Sequence, residues 1–204
     1  MEQKAYLVLQ DGTVMEGISF GASGDVCGEI VFTTGMTGYL ETLTDPSYHG
    51  QIVVQTFPLI GNYGIIAADF EGNCAARGYI VREWCDTPSN FRSGGDVDAF
   101  LKERGVPGLC GVDTRQLTRI LREAGVMNAM ICDEVPADLT PVKTYRVSGV
   151  VAQVSSKAPQ TYAPEGERRY RVALMDYGYK RSILRELRAR GGEVTVYPSD
   201  TPAE

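Results

Sequence analysis

The chain has 204 residues, of which 43% are hydrophobic and 23% charged, an ordinary soluble composition that excludes a disordered tail, a fibrous repeat and a helical membrane protein. Twenty Lys and Arg against 26 Asp and Glu leave a net charge of −6. Phosphate backbones are repelled by such a surface, so no nucleic-acid partner is expected, and no stretch is long and apolar enough to make a membrane an expected one.

The first third reads as short strands separated by turns. Tyr6 to Leu9 and Val14 to Phe20 flank Asp11-Gly12, a dipeptide that favours a tight hairpin with positive φ at both turn positions. Glu29 to Thr33, Gln51 to Phe57 and Gly78 to Trp84 are β-branched and aromatic runs bounded by Gly and Pro. Between the first two, Thr37 to Leu43 has room for about two helical turns, and Asp45-Pro46 forces a turn after it.

From residue 94 the period changes. Val97, Phe100 and Leu101 predict a helix stopped by Gly105, and Gly108 to Val112 predicts a strand. Asp113 or Thr114 can cap a helix that points Leu117, Ile120 and Leu121 inward and ends at Gly125; Asn128 to Cys132 is a further strand. Residues 134 to 170 are broken by Pro136, Pro141, Pro159 and Pro164, and 155–170 reads as a linker. Beyond it come strand Arg171 to Met175, helix Tyr179 to Arg190 and strand Glu193 to Tyr197, the start of an open parallel sheet. One such unit cannot cover both faces of a parallel sheet, so the chain is expected to be a piece of something longer and its last segment to be marginal alone.

Candidate chemistry is sparse. Five dispersed cysteines with no CxxC pair, and a single histidine, give no metal-ligand set; the thiols read as reduced, in a cytoplasmic protein. Cys110, in Gly108-Leu109-Cys110-Gly111-Val112, only half meets the small-residue pattern of a nucleophile elbow, and Cys74 lies in an acidic loop. His49 reads as a loop histidine without a partner. Arg115, Arg119 and Arg122 share one helical face, either solvated or a docking surface for an acidic partner. Ser47, in a turn fixed by Asp45-Pro46, offers a hydroxyl and is on physical grounds alone a turn serine.

Read as one string these signals change. Gly28-Glu29-Ile30-Val31-Phe32-Thr33-Thr34-Gly35-Met36-Thr37-Gly38-Tyr39 and Leu43-Thr44-Asp45-Pro46-Ser47-Tyr48 resemble the N-terminal domain of the small, glutamine-hydrolysing subunit of carbamoyl phosphate synthase. The likeness runs on through Pro58-Leu59-Ile60-Gly61-Asn62-Tyr63-Gly64, Ser89-Asn90-Phe91-Arg92 and Asp113-Thr114-Arg115-Gln116-Leu117-Thr118-Arg119. Asp176-Tyr177-Gly178-Tyr179-Lys180-Arg181-Ser182-Ile183-Leu184 resembles the opening of that subunit's class I amidotransferase domain.

The resemblance implies an α/β protein: a three-layer β/β/α domain over 1–154, the linker at 155–170, and the first β-α-β unit of a parallel-sheet amidotransferase domain over 171–204. It implies L-glutamine as substrate, with Ser47 contacting it, and a large subunit as partner, on which ATP and Mg act; no cofactor or metal is expected in this chain. Glutamine would yield ammonia through a Cys-His-Glu triad for carbamoyl phosphate synthesis, feeding arginine and pyrimidine pathways. The Gly-x-Cys-x-Gly elbow of that triad does not occur in these residues, so no catalytic residue is expected here and the chain alone is expected to be inactive. The alternative is a stand-alone, non-catalytic subunit-docking module.

Overall fold

The computed structural model describes residues 3–202. Strands β1 (Lys4–Leu9), β2 (Val14–Gly21) and β3 (Val26–Thr33) lead into helix α1 (Tyr39–Thr44) and a 3-10 turn at Pro46–Tyr48. Then follow β4 (Gln51–Gln55), β5 (Leu59–Ile60), β6 (Gly78–Ile80), β7 (Glu83–Trp84), α2 (Val97–Glu103), β8 (Pro107–Cys110), α3 (Thr114–Ala124) and β9 (Met127–Cys132). Short helices α4 (Thr140–Thr144) and α5 (Val150–Val154) precede β10 (Gln160–Tyr162), β11 (Tyr170–Asp176), α6 (Arg181–Ala189) and β12 (Gly192–Pro198).

Seven strands close into a barrel in the order β1-β2-β8-β6-β4-β3-β9, with β9 returning to β1. The β3–β4, β4–β6 and β6–β8 ladders are parallel, and the remaining ladders of the barrel are antiparallel. The α/β class expected from the sequence holds. Where the resemblance implied stacked β/β/α layers, the hydrogen bonding of the seven strands forms one closed ladder.

Strand periodicity explains the packing. In β4, Ile52 and Val54 join Leu7, Leu9, Ile30, Leu109 and Ala129 in the barrel cluster, whereas Val53 points to the other face. That second face packs against α1 and α2 through Leu40, Leu43, Val97, Phe100 and Leu101. Helix α3 adds Leu117 and Leu121 to the barrel cluster, as its apolar spacing predicts, and Asp113 caps it by accepting from Gln116 N at 2.9 Å.

Two local expectations are corrected. At the β1–β2 hairpin only Gly12 has positive φ (+93°), since Gly12 N donates to Leu9 O and Leu9 N to Thr13 O, a turn needing one left-handed residue rather than two. The run Gly78 to Trp84 is two strands: β6 lies in the barrel, and β7 pairs with β5 in a separate ribbon.

The last sheet has the order β10-β12-β11, with β11 and β12 parallel and Leu184, Val194 and Val196 at its core. Within the stretch read as a linker, β10 pairs antiparallel with β12 and occupies what would otherwise be an open parallel edge. On α6, Leu184 is buried whereas its neighbour Ile183 is 45% exposed. Among the described residues, no helix is long and apolar enough to cross a membrane.

Candidate functional site

The turn carrying Ser47 is held by several elements. Helix α1 begins where Gly38 N and Tyr39 N both donate to Tyr63 Oη, at 3.1 and 3.2 Å, and the two tyrosine rings stack at 4.2 Å. Tyr39 Oη in turn donates to Gly64 O at 2.6 Å. These contacts explain why Gly38-Tyr39 and Gly61-Asn62-Tyr63-Gly64 stand out in the sequence: together they fix the start of α1. At its end, Thr44 Oγ1 donates to Leu40 O and accepts from Glu71 N.

Asp45 follows, almost fully buried. One carboxylate oxygen accepts from Ser47 N at 2.9 Å, and the other lies 2.7 Å from Lys180 Nζ. Burial pushes the Asp45 carboxyl up, but hydrogen bonds from Lys180 and from the Ser47 amide and hydroxyl outweigh it and hold the group below the usual carboxylate range. The same bond to Asp45 raises the Lys180 ammonium above its ordinary value. Ser47 itself is exposed, on a backbone pinned by Pro46 on one side and the Asp45 carboxylate on the other.

Two more carboxylates complete the seam: Glu71, which nothing in the sequence marked, and Asp176, which opens the string quoted for the second domain. Glu71 accepts from Arg181 N through its backbone oxygen and from Ser182 N through Oε2, both at 2.8 Å, so it caps α6 from a distant loop. Asp176 accepts from Gly178 N and Tyr179 N through one oxygen and from Ser156 N through the other. A remote cap such as Glu71 leaves no local spacing signal; only the topology brings it into place.

Beside this turn lies a cleft of about 480 Å3, whose lining includes Pro46, His49, Cys74, Gln153, Asp176 and Arg181. His49 Nε2 is 2.9 Å from Gln153 Oε1, so the histidine read as partnerless bridges to α5. Cys74 shares this cleft, yet burial pushes its thiol up to about 11, the wrong direction for a nucleophile at neutral pH. Cys110 lies elsewhere, at the end of β8 opposite Ile18, in a different cleft with Phe20 and Trp84. The structure therefore does not bring Cys110 and His49 together. Arg115, Arg119 and Arg122 are together, in a third cleft with Arg82.

Fold and site define a mixed α/β barrel protein in which the turn carrying Ser47 is tied through Asp45 and Lys180 to the loop after β11, next to a separate three-stranded sheet. The chain belongs to the carbamoyl-phosphate synthase small chain family: the family model for its CPSase domain matches residues 7–131. The carbamoyl phosphate synthase small chain of Bacillus anthracis is 48% identical over 205 residues, covering 98% of this chain and 55% of that protein. That of Fusobacterium nucleatum subsp. nucleatum is 49% identical, covering 97% and 56%. The pyrimidine-specific small chain of Halalkalibacterium halodurans is 47% identical, covering 98% and 56%. The chain thus spans about half the length of the curated relatives it matches. Among solved structures, an aminopeptidase from Aneurinibacillus sp. strain AM-1 aligns at a TM-score of 0.38 and 17% identity over 87% of this chain and 40% of that one, too slight a likeness to bear on fold or function.

Proposed function

We propose that this chain is the N-terminal part of a glutamine-hydrolysing carbamoyl phosphate synthase small subunit, in the cytoplasm, serving arginine and pyrimidine synthesis. In this reading residues 1–154 form the small-subunit domain, 155–170 the connection and 171–204 the opening of a class I amidotransferase domain. Glutamine gives up its side-chain ammonia, and a large subunit uses that ammonia with bicarbonate and ATP, its Mg and nucleotide sites lying on the large subunit.

The carrying observation is the presentation of Ser47, an exposed residue on a turn fixed from within by Asp45 and tied by Lys180 to the loop after β11. A rigidly held hydroxyl at that seam suits the polar end of an amino-acid ligand. The role of this chain is thus binding and orientation. The thiol nucleophile and its histidine base belong to residues outside it, and the 204 residues alone release no ammonia from glutamine.

The test is Ser47→Ala in a complete small subunit joined to its large subunit. The glutamine KM rises about tenfold, the loss of one good polar contact, while synthesis from free ammonia is unchanged. Unaltered glutamine kinetics would remove Ser47 from the site.

A further inference from the structure

The outer face of α3 carries Arg115, Arg119 and Arg122, and with Arg82 they line a cleft of about 770 Å3. All four arginines are exposed, and among the described residues none forms an ion pair. Glu123, placed four residues after Arg119 where a helix pair is favourable, does not engage it. Among the described residues, Arg82 alone of the four has a side-chain hydrogen bond, from Nη1 to Gly111 O at 3.2 Å. Two carboxylates also line the cleft: Asp113, whose Oδ1 already accepts from Gln116 N, and Glu83. In a chain with a net charge of −6, this is a concentrated cationic wall.

Its shape selects among anions. From Arg115 to Arg122 is about 10 Å along the helix, so the charges suit a row of anionic groups rather than one. At the helix N-terminus, where a phosphate would settle, the Asp113 carboxylate already stands. Exposed aliphatic side chains neighbour lining residues along the chain: Met36, 73% exposed, comes two residues after Thr34, and Leu59, 39% exposed, directly follows Pro58. Cations beside exposed aliphatic groups fit a polypeptide better than a polyphosphate.

We infer that this cleft docks an acidic segment of another polypeptide, with carboxylates on Arg115, Arg119 and Arg122 and an apolar side chain against Met36. This deepens the partner side of the proposed function. Its test is independent of glutamine, so its failure leaves the Ser47 reading standing.

The probe is a fluorescein-labelled amphipathic helical peptide with glutamate on one face and leucine on the other, titrated by anisotropy against the 204-residue chain. The peptide binds, and raising salt from ~50 to ~300 mM weakens it severalfold. R119E/R122E weakens binding by about tenfold or more, R115A by less, and a peptide with glutamine for glutamate binds as poorly as the double variant does. R185E, on α6, leaves binding unchanged. Absence of binding, equal binding by R119E/R122E and R185E, or displacement of the peptide by equimolar inorganic phosphate or a single-stranded oligonucleotide would overturn the inference. Circular dichroism of R119E/R122E identical to the parent excludes unfolding as the cause of lost binding.

Discussion

Lys180 Nζ lies 2.7 Å from the Asp45 carboxylate, fastening the turn that carries Ser47 to the loop after β11. Both ends shift so as to keep the pair charged. Asp45 is held below its ordinary 3.8, so its contribution is present above that value and lost only as pH falls through the lower folded value. Lys180 is held above 10.5, so its contribution is present below that value and lost as pH rises through the higher folded one. Amide exchange at 177–182, corrected for intrinsic rate, is therefore flat between about pH 5 and 9. Lys180→Met costs about 1 kcal/mol or less, because the lysine end is 46% exposed. Asp45→Ala costs about 1–3 kcal/mol, because it also strands the Ser47 amide. Equal losses in urea titrations of the two variants would contradict this asymmetry.

Gly178 is the tightest point of the same seam. Its φ is +95°, and an added Cβ would stand 2.9 Å from Val154 Cγ2 and 3.2 Å from Pro46 Cβ. Gly178→Ala therefore combines backbone strain with a clash against both sides, a cost of about 1–3 kcal/mol. In a complete enzyme it displaces Pro46 and so raises the glutamine KM as well. A Gly178→Ala protein as stable as its parent would show that the loop can move away freely.

The barrel and its helices were largely legible in the sequence because their signals are local. Leu117 and Leu121 mark the buried face of α3, Asp113 marks its start, and the β-branched runs mark β3, β4 and β9. Closure of the sheet was not legible, since which strands become neighbours is decided by packing across the whole barrel. Nor was the role of Glu71, whose carboxylate caps α6 from more than a hundred positions away. Ser47 itself was marked by the Asp45-Pro46 turn and by likeness to a family. The lysine that anchors that turn came from a separate stretch of chain, and no spacing rule joins the two.

The thiols give a chemical prediction. Burial pushes Cys74 and Cys132 up to about 11 and also raises Cys27. At pH 7 a group with a pKa near 11 is thiolate in only about one molecule in ten thousand, against a few per cent for a free cysteine. Iodoacetamide therefore labels Cys74 and Cys132 at neutral pH far more slowly than a free thiol, and unfolding in urea restores their reactivity. Rapid labelling of native Cys74, read by mass spectrometry, would reopen a nucleophilic role beside His49.

Helix α3 links stability to the cationic cleft, because one face carries Leu117, fully buried in the barrel cluster, and the other carries Arg115, Arg119 and Arg122. Leu117→Ala removes buried methyl groups and leaves a cavity that a closed barrel cannot readily collapse, for about 2–5 kcal/mol. Asp113→Ala loses only the cap at Gln116 N, for about 1 kcal/mol. The arginine substitutions fall on the exposed face and change stability by no more than about 0.5 kcal/mol. Thermal denaturation then orders the variants as Leu117→Ala, Asp113→Ala and the arginine changes, whereas acidic-peptide binding by the still-folded protein falls most for the arginine changes. If the two orders coincided, the cleft would be reporting only on the integrity of the helix. Opposite orders assign the inner face to folding and the outer face to a partner.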